Sequence, residues 1–141
     1  MKPKLVALFL VIVMVAAALA GAGLTTTAAV VAANKQSTQL SLAAAPTALI
    51  AGKTVTFSGV LQTATAAHAP LAKASIYLYV SKDNKNWSLV YAPSKTLTNV
   101  NGAYTFSKGI SIGTWYFRTY FDPGTTQYSR AYSPTVKVVA R

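Results

Sequence analysis

Apolar and polar residues alternate with a period of two along most of the chain after residue 35. Such a period places successive side chains on opposite faces of an extended strand, so each segment is expected to bury one face. The alternation is clearest in residues 53–61, 74–81 and 114–121. Weaker or shorter strands are predicted for residues 38–43, 87–91, 96–98, the segment that contains Tyr104 and Phe106, and 135–140.

Short turn sequences separate these strands. Residues 83–86 (Asp-Asn-Lys-Asn), 101–102 (Asn-Gly) and 122–124 (Asp-Pro-Gly) are typical of tight turns. No segment after Asn34 has the 3.6-residue repeat of an amphipathic helix. About seven strands with one apolar face each predict an all-β domain, in which two antiparallel sheets pack as a sandwich. A small barrel is the alternative.

The phase of each alternation also predicts which side chains form the core. Phe57, Leu78 and Phe117 lie on the apolar phase of three different strands. Thr56 and Ser58 lie on the opposite phase of the first of these strands and are expected to face solvent.

Residues 1–33 have a different character from the rest of the chain. Lys2 and Lys4 precede an uninterrupted apolar run from residue 5 to residue 20, and small residues follow it. This order predicts an N-terminal hydrophobic export helix with a flexible linker, which is either a cleaved signal peptide or a retained membrane anchor. Both alternatives leave residues 34–141 as a domain that is secreted or held on the extracellular face of the cell membrane. A prokaryotic surface is the more natural setting.

Composition restricts the chemistry that the chain can perform. The 141 residues include no cysteine and one histidine, His68, and their acidic groups are Asp83 and Asp122. His68 falls in a small-residue loop, and both aspartates fall in turns, where an aspartate commonly caps its own backbone. No nucleophile elbow, phosphate-binding loop or calcium-ligand set is present. We therefore expect neither an enzyme nor a metal ion or other cofactor.

The positive charge admits two interpretations. The chain has thirteen basic and two acidic residues. Without Lys2 and Lys4, eleven basic and two acidic residues remain, which gives a formal net charge of +9. Scattered lysines can keep a secreted sandwich soluble and blunt its sheet edges. Alternatively, they can attract acidic glycans or anionic lipid. Nucleic acid is not expected as a partner, because the domain is exported and has no nucleic-acid-binding motif.

Five motifs along the chain suggest a family. They are residues 53–61 (Lys-Thr-Val-Thr-Phe-Ser-Gly-Val-Leu), 70–74 (Pro-Leu-Ala-Lys-Ala), 81–87 (Ser-Lys-Asp-Asn-Lys-Asn-Trp), 101–106 (Asn-Gly-Ala-Tyr-Thr-Phe) and 113–118 (Gly-Thr-Trp-Tyr-Phe-Arg). In this order they resemble the Ig-like β-sandwich repeats of bacterial and archaeal secreted and cell-surface proteins. The resemblance runs from about Leu40 to Ala140 and implies a structural or adhesive role. It leaves the ligand open.

An Ig-like sandwich has its third and sixth strands side by side in one sheet. We assign these strands to residues 74–81 and 114–121, with the last strand beside them. Outward-facing tyrosines are good strand formers in any sheet, but this composition is also enriched at binding hot spots. The candidate binding face consists of Tyr77, Tyr79, Tyr116, Arg118, Tyr120 and Lys137.

The function predicted from these observations is that of a non-catalytic adhesion, scaffolding or binding module. Its partner would be a cell-envelope protein or glycan, with self-association as a further possibility, and its membrane contact would be through the N-terminal segment alone. The alternatives are a carbohydrate-binding accessory domain and a cationic secreted protein that acts on anionic surfaces.

A glycosylation sequon, Asn86-Trp87-Ser88, lies on a predicted hairpin tip. It makes Asn86 a candidate glycan acceptor. The simpler interpretation is that Asn86 forms the turn and Trp87 packs into the core.

Overall fold

The computed structural model describes residues 35–141, and the predicted export segment at residues 1–33 lies outside them. Residues 36–141 form one compact unit that consists of strands and connecting turns, without a helix. A membrane-spanning helix is accordingly not found in this part of the chain. The strands are β1 (Thr38–Leu40), β2 (Ala43–Ala45), β3 (Ala48–Leu49), β4 (Thr54–Thr63), β5 (Ser75–Ser81), β6 (Ser88–Leu89), β7 (Lys95–Leu97), β8 (Ala103–Gly109), β9 (Gly113–Phe121), β10 (Ala131–Tyr132) and β11 (Val136–Ala140).

These strands form two sheets, as the alternation predicts. In sheet I, β4 pairs with β8 along one edge and with both β1 and β2 along the other. In sheet II, β5 and β9 are adjacent, β6 and β7 lie beyond β5, and β10 and β11 lie beyond β9. The strand pairs are antiparallel except that of β3, which runs parallel to β11 at the margin of sheet II. The prediction of an all-β fold with two sheets is confirmed.

The strand segments are more numerous than the seven or so predicted. The first predicted strand is divided into β1 and β2, and both pair with β4 in one continuous register. β3 and β10, which have two residues each, are not among the predicted strands. Two residues are too few to show an alternation, so the hydrophobic pattern contains no signal for them.

The core lies between the two sheets and follows the predicted phases. Val55, Phe57 and Leu61 of β4 are fully buried, whereas Thr56 and Ser58 are exposed. Phe57 of sheet I meets Phe117 of sheet II with ring centroids 4.6 Å apart. The buried apolar residues are Leu40, Val55, Phe57, Leu61, Leu71, Ile76, Leu78, Val90, Tyr104, Phe106, Ile110, Phe117, Phe121, Val138 and Ala140.

A polar contact within this core connects the two sheets. The hydroxyl of Tyr104, on β8 of sheet I, lies 2.7 Å from the hydroxyl of Thr119, on β9 of sheet II. It also donates to the backbone carbonyl of Ser41, between β1 and β2. Burial disfavours the charged phenolate and raises the pKa of Tyr104 to about 12. The Tyr104 hydroxyl therefore ties three parts of the chain together while it stays protonated.

Gly59 makes room for this contact. Ser41 stands opposite Val60, whose N–H donates to the Ser41 side-chain hydroxyl over 2.8 Å and leaves the Ser41 carbonyl for Tyr104. A Cβ atom at Gly59 would overlap that carbonyl oxygen. The glycine in the inward phase of β4 is thus explained by the close approach of a neighbouring backbone.

The first prediction concerns the core contact between the sheets. Changing Phe57 to Ala should lower the free energy of unfolding by about 3–5 kcal/mol, because it leaves a cavity against Phe117. Thr56→Ala, one residue earlier and exposed, should lower it by less than about 1 kcal/mol. Chemical denaturation of both variants measures the difference. Equal losses would mean that the phase of β4 is wrong.

The second prediction concerns pH. Tyr104→Phe should lower the free energy of unfolding by roughly 1–3 kcal/mol at pH 8, because Thr119 and Ser41 lose their partner. The pKa of Tyr104 rises from 10.0 to about 12 on folding, so its contribution is complete below pH 10. Between pH 10 and 12 only the unfolded chain ionises, and the native protein loses about 1.4 kcal/mol per pH unit through this group.

The gap in stability between the native protein and Tyr104→Phe should therefore narrow above pH 10. Denaturation curves of both proteins at pH 8, 10 and 11.5 measure that gap, and the other tyrosines cancel in the comparison. A gap that stays constant across this range would show that Tyr104 does not titrate differently in the two states.

Candidate functional site

The six residues of the predicted binding face lie together on the outer face of sheet II. In the register of the sheet, Tyr77 stands opposite Tyr120, and Tyr79 stands opposite Arg118. Lys137 stands opposite Tyr116 on the other side of β9. We call this surface the tyrosine face; it comprises Tyr77, Tyr79, Tyr116, Arg118, Tyr120 and Lys137.

Arg118 is held between two aromatic side chains that the sequence analysis did not include in this face. Its guanidinium carbon lies 4.3 Å from the centroid of the Trp87 ring and 4.7 Å from that of the Tyr132 ring. Trp87 approaches from the connection between β5 and β6, and Tyr132 approaches from β10, so they come from opposite sides of β9. These distances are those of cation–π contacts.

The prediction that Trp87 packs into the core is wrong. Ser88 pairs with Val80, an inward-facing residue of β5, so Trp87 falls on the outward phase, one residue earlier. Leu89 shares that outward phase, and Val90 is the buried residue of the segment. Trp87 is half-buried against Arg118 instead.

The tyrosine face also continues through contacts between rings. Tyr120 and Tyr132 have centroids 4.8 Å apart at an interplanar angle of 32°, and Tyr79 meets Tyr120 edge to face at 6.4 Å. The ammonium of Lys95 lies 5.7 Å from the Tyr77 ring centroid. Burial, followed by the negative charge of Asp122, raises the pKa of the Tyr120 hydroxyl. The face is therefore a connected layer of aromatic rings and cations.

Lys137 is exposed, and the five other residues of the tyrosine face are half-buried. Tyr132 is 51% exposed, and Leu89 and Leu97, which lie on the same side of sheet II, are 46% and 55% exposed. These three side chains lie at separate margins of the face, opposite Tyr120, Tyr79 and Ser75. The apolar surface extends beyond the tyrosines that the sequence analysis identified.

The positive charge of Arg118 has no carboxylate beside it among the residues that form this face. Its Nε atom is buried without a hydrogen-bond partner. A buried guanidinium donor without a partner normally costs free energy, because the hydrogen bonds that it makes to water are lost. The two aromatic rings offset part of that cost but accept no conventional hydrogen bond.

Both aspartates serve turns, as predicted. Asp83 accepts hydrogen bonds from the backbone N–H groups of Asn86 and Lys85, and these bonds hold the pKa of its carboxyl well below the usual range. Asp122 accepts from the N–H of Gly124. Asp83 follows the last residue of β5, whereas the N–H of Asp122 donates to the carbonyl of Ser75, the first residue of β5. The two aspartates therefore lie at opposite ends of this strand.

The remaining candidate for acid–base chemistry stands alone. His68 is exposed in the loop after β4. Its ring nitrogen Nδ1 lies 3.2 Å from the side-chain nitrogen Nε2 of Gln62. Residues 35–141 hold no cluster of three or more His, Cys, Asp or Glu side chains that could bind a metal ion.

The sequon at Asn86 lies in an exposed turn. The Asn86 amide nitrogen, the atom to which a glycan would be attached, donates to the Asp83 carboxylate over 2.6 Å. Asn86 thus forms the turn, as the simpler interpretation has it. Glycosylation at this residue stays a prediction.

No protein-family model matches the chain, and no curated protein matches it. The function must therefore be inferred from the tyrosine face itself.

The third prediction tests the contact between Arg118 and Trp87. In a double-mutant cycle of Arg118→Met and Trp87→Leu, the coupling energy should be about 0.5–2 kcal/mol, because each change removes the same cation–π contact. Denaturation of the native protein, both single variants and the double variant gives this value. As a control, Trp87→Leu combined with Lys53→Met should be additive within about 0.5 kcal/mol. An equally additive result for Arg118 and Trp87 would refute the contact.

Proposed function

We propose that this chain is a non-catalytic module on the outside of a prokaryotic cell, folded as an Ig-like β-sandwich. It binds a component of the cell envelope, a protein or a glycan, through the tyrosine face. The observation that carries this proposal is the position of Arg118 between Trp87 and Tyr132, in the middle of an outward-facing aromatic surface.

The strand pairing supports the Ig-like assignment. In the Ig fold the second and fifth strands share one sheet, and the third, sixth and seventh share the other. Here β4 pairs with β8, whereas β9 lies between β5 and β11. The N-terminal edge is divided between the sheets, since β2 pairs with β4 and β3 pairs with β11. The five sequence motifs described above fall on this framework in the same order.

The aromatic surface supports binding over a purely structural role. Cross-strand tyrosine pairs stabilise a sheet by about 0.2–1 kcal/mol each without any ligand. Stability alone, however, does not require a cation in the centre of the face, nor a Tyr132 that is half exposed. Tyrosine, tryptophan and arginine are the residues that most often dominate the energy of an interface.

The site of action follows from the N-terminal segment. The apolar run at residues 5–20 after two lysines supports export of the domain. In this proposal the domain is secreted or stays on the extracellular face of the envelope, and membrane contact is through that segment alone.

The fourth prediction tests the tyrosine face directly. A Tyr79→Ser, Tyr116→Ser double variant should lose most of its association with isolated cell envelopes, because two side chains of the face are removed. Tyr91→Ser is the matched control, because Tyr91 is 98% exposed in the loop after β6, outside the tyrosine face. Co-sedimentation with envelopes measures the bound fraction, and circular dichroism checks that each variant is folded.

If the double variant is folded and keeps both its envelope association and its oligomeric state, the tyrosine face is an ordinary sheet surface. The proposed function would then be wrong.

A further inference from the structure

We propose that the ligand of the tyrosine face is an acidic polysaccharide, a polymer of sugar rings that carry carboxylate or sulfate groups. This inference rests on the proposed function and specifies the partner of the same site.

The first argument is charge complementarity. Three basic side chains of the paired strands lie on this side of sheet II: Lys95 opposite Tyr77, Arg118 opposite Tyr79, and Lys137 opposite Tyr116. Arg130, just before β10, also acts on Tyr120. Lys95 and Lys137 are exposed, and the Arg118 Nε has no partner in the protein. Asp122 acts on Tyr120 at the margin of the face, but the basic side chains outnumber it, so an anionic ligand complements the charge of this surface.

The second argument is the spacing of these charges. Lys95 is on β7, Arg118 is two strands away on β9, and Lys137 is one strand further on β11. Each step also advances two residues along the strands. With strands ~4.8 Å apart and ~3.4 Å per residue, the Cα atoms of neighbouring basic residues are roughly 8–12 Å apart on a diagonal. A polymer with regularly repeated anionic groups can meet all three at once.

The third argument is the chemistry of the surface between the charges. A sugar ring presents both C–H groups and hydroxyls, and a tyrosine or tryptophan side chain offers an apolar ring together with a hydrogen-bonding group. Trp87 and Tyr132 supply such rings on the two sides of Arg118, and Tyr120 lies against Tyr132. The same layer can therefore pair with the anionic group and contact the ring that bears it.

An acidic peptide fits this surface less well. Extended peptides usually add to an open sheet edge or lie in a groove. The tyrosine face is instead the flat side of β5 and β9, each of which is paired along both edges. Its backbone groups are already used within sheet II, so a peptide could not gain main-chain hydrogen bonds there.

A second copy of the chain fits less well for electrostatic reasons. Face-to-face packing of two copies would bring Arg118 and the two lysines of one copy close to the same three cations of the other. Like charges that are desolvated against one another are unfavourable. The domain as a whole carries a formal charge of +9, which adds to the repulsion.

The experiment measures binding of polygalacturonate, whose sugar units each bear a carboxylate, to the full chain in mild detergent. Calorimetry at low and at physiological salt should show saturable binding that weakens with salt. Fully methyl-esterified polygalacturonate removes the charge and keeps the rings, and polyglutamate keeps the charge without rings. Both should bind at least tenfold more weakly.

Variants with equal net charge locate the site. Lys95→Gln with Lys137→Gln should weaken polygalacturonate binding at least tenfold, and Tyr132→Ser should weaken it about fivefold or more. The control pair is Lys35→Gln with Lys53→Gln, two exposed lysines outside sheet II. It should weaken binding less than threefold.

Equal losses for the two lysine pairs would overturn the proposal, because the polymer would then respond only to net charge. Equal binding of polyglutamate or of double-stranded DNA would also overturn it, since the surface would then bind any polyanion. If polygalacturonate fails to bind while envelope association still depends on Tyr79 and Tyr116, the ligand class is wrong and the proposed function stands. Loss of that dependence refutes the proposed function itself.

Discussion

The architecture depends on the alternation of β9, the strand whose two faces serve different purposes. Phe117, Thr119 and Phe121 point into the core, where Phe117 meets the Phe57 ring of sheet I. The residues between them point outward and form the centre of the tyrosine face. Because the side-chain period is two, a slip of one residue would bury Arg118 and expose Phe117. The core thus determines which side chains are presented outside.

The contact between Thr119 and Tyr104 helps to hold β9 in this register against sheet I. Their hydroxyls form a polar contact inside an otherwise apolar core, and the Thr119 N–H donates to the Ser133 hydroxyl over 2.8 Å. A buried polar group is satisfied only in one register, whereas apolar side chains tolerate several. The contact therefore specifies the register of β9 against sheet I, and with it the composition of the outer face.

The long strands and the six outward residues could be predicted from the sequence, because each lies on a strand of seven or more residues or pairs directly with one. Trp87 and Tyr132 could not. Trp87 immediately precedes β6, whose two residues pair with Tyr79 and Val80, and Tyr132 lies on β10, which pairs with β9 over two residues. The alternation of apolar and polar residues along the sequence does not predict such pairings, because tertiary contacts determine them.

The two missed residues change what the face can do. A row of tyrosines alone would be a neutral, sheet-stabilising surface with a guanidinium at its centre that solvent could hydrate. Trp87 and Tyr132 cover that guanidinium from both sides and leave its Nε buried without an acceptor. The covered cation keeps its charge, and a charge in a partly desolvated site attracts a counter-ion more strongly than one in water. Under the proposal above, the aromatic side chains turn a surface arginine into a binding site for an anionic group presented on a ring.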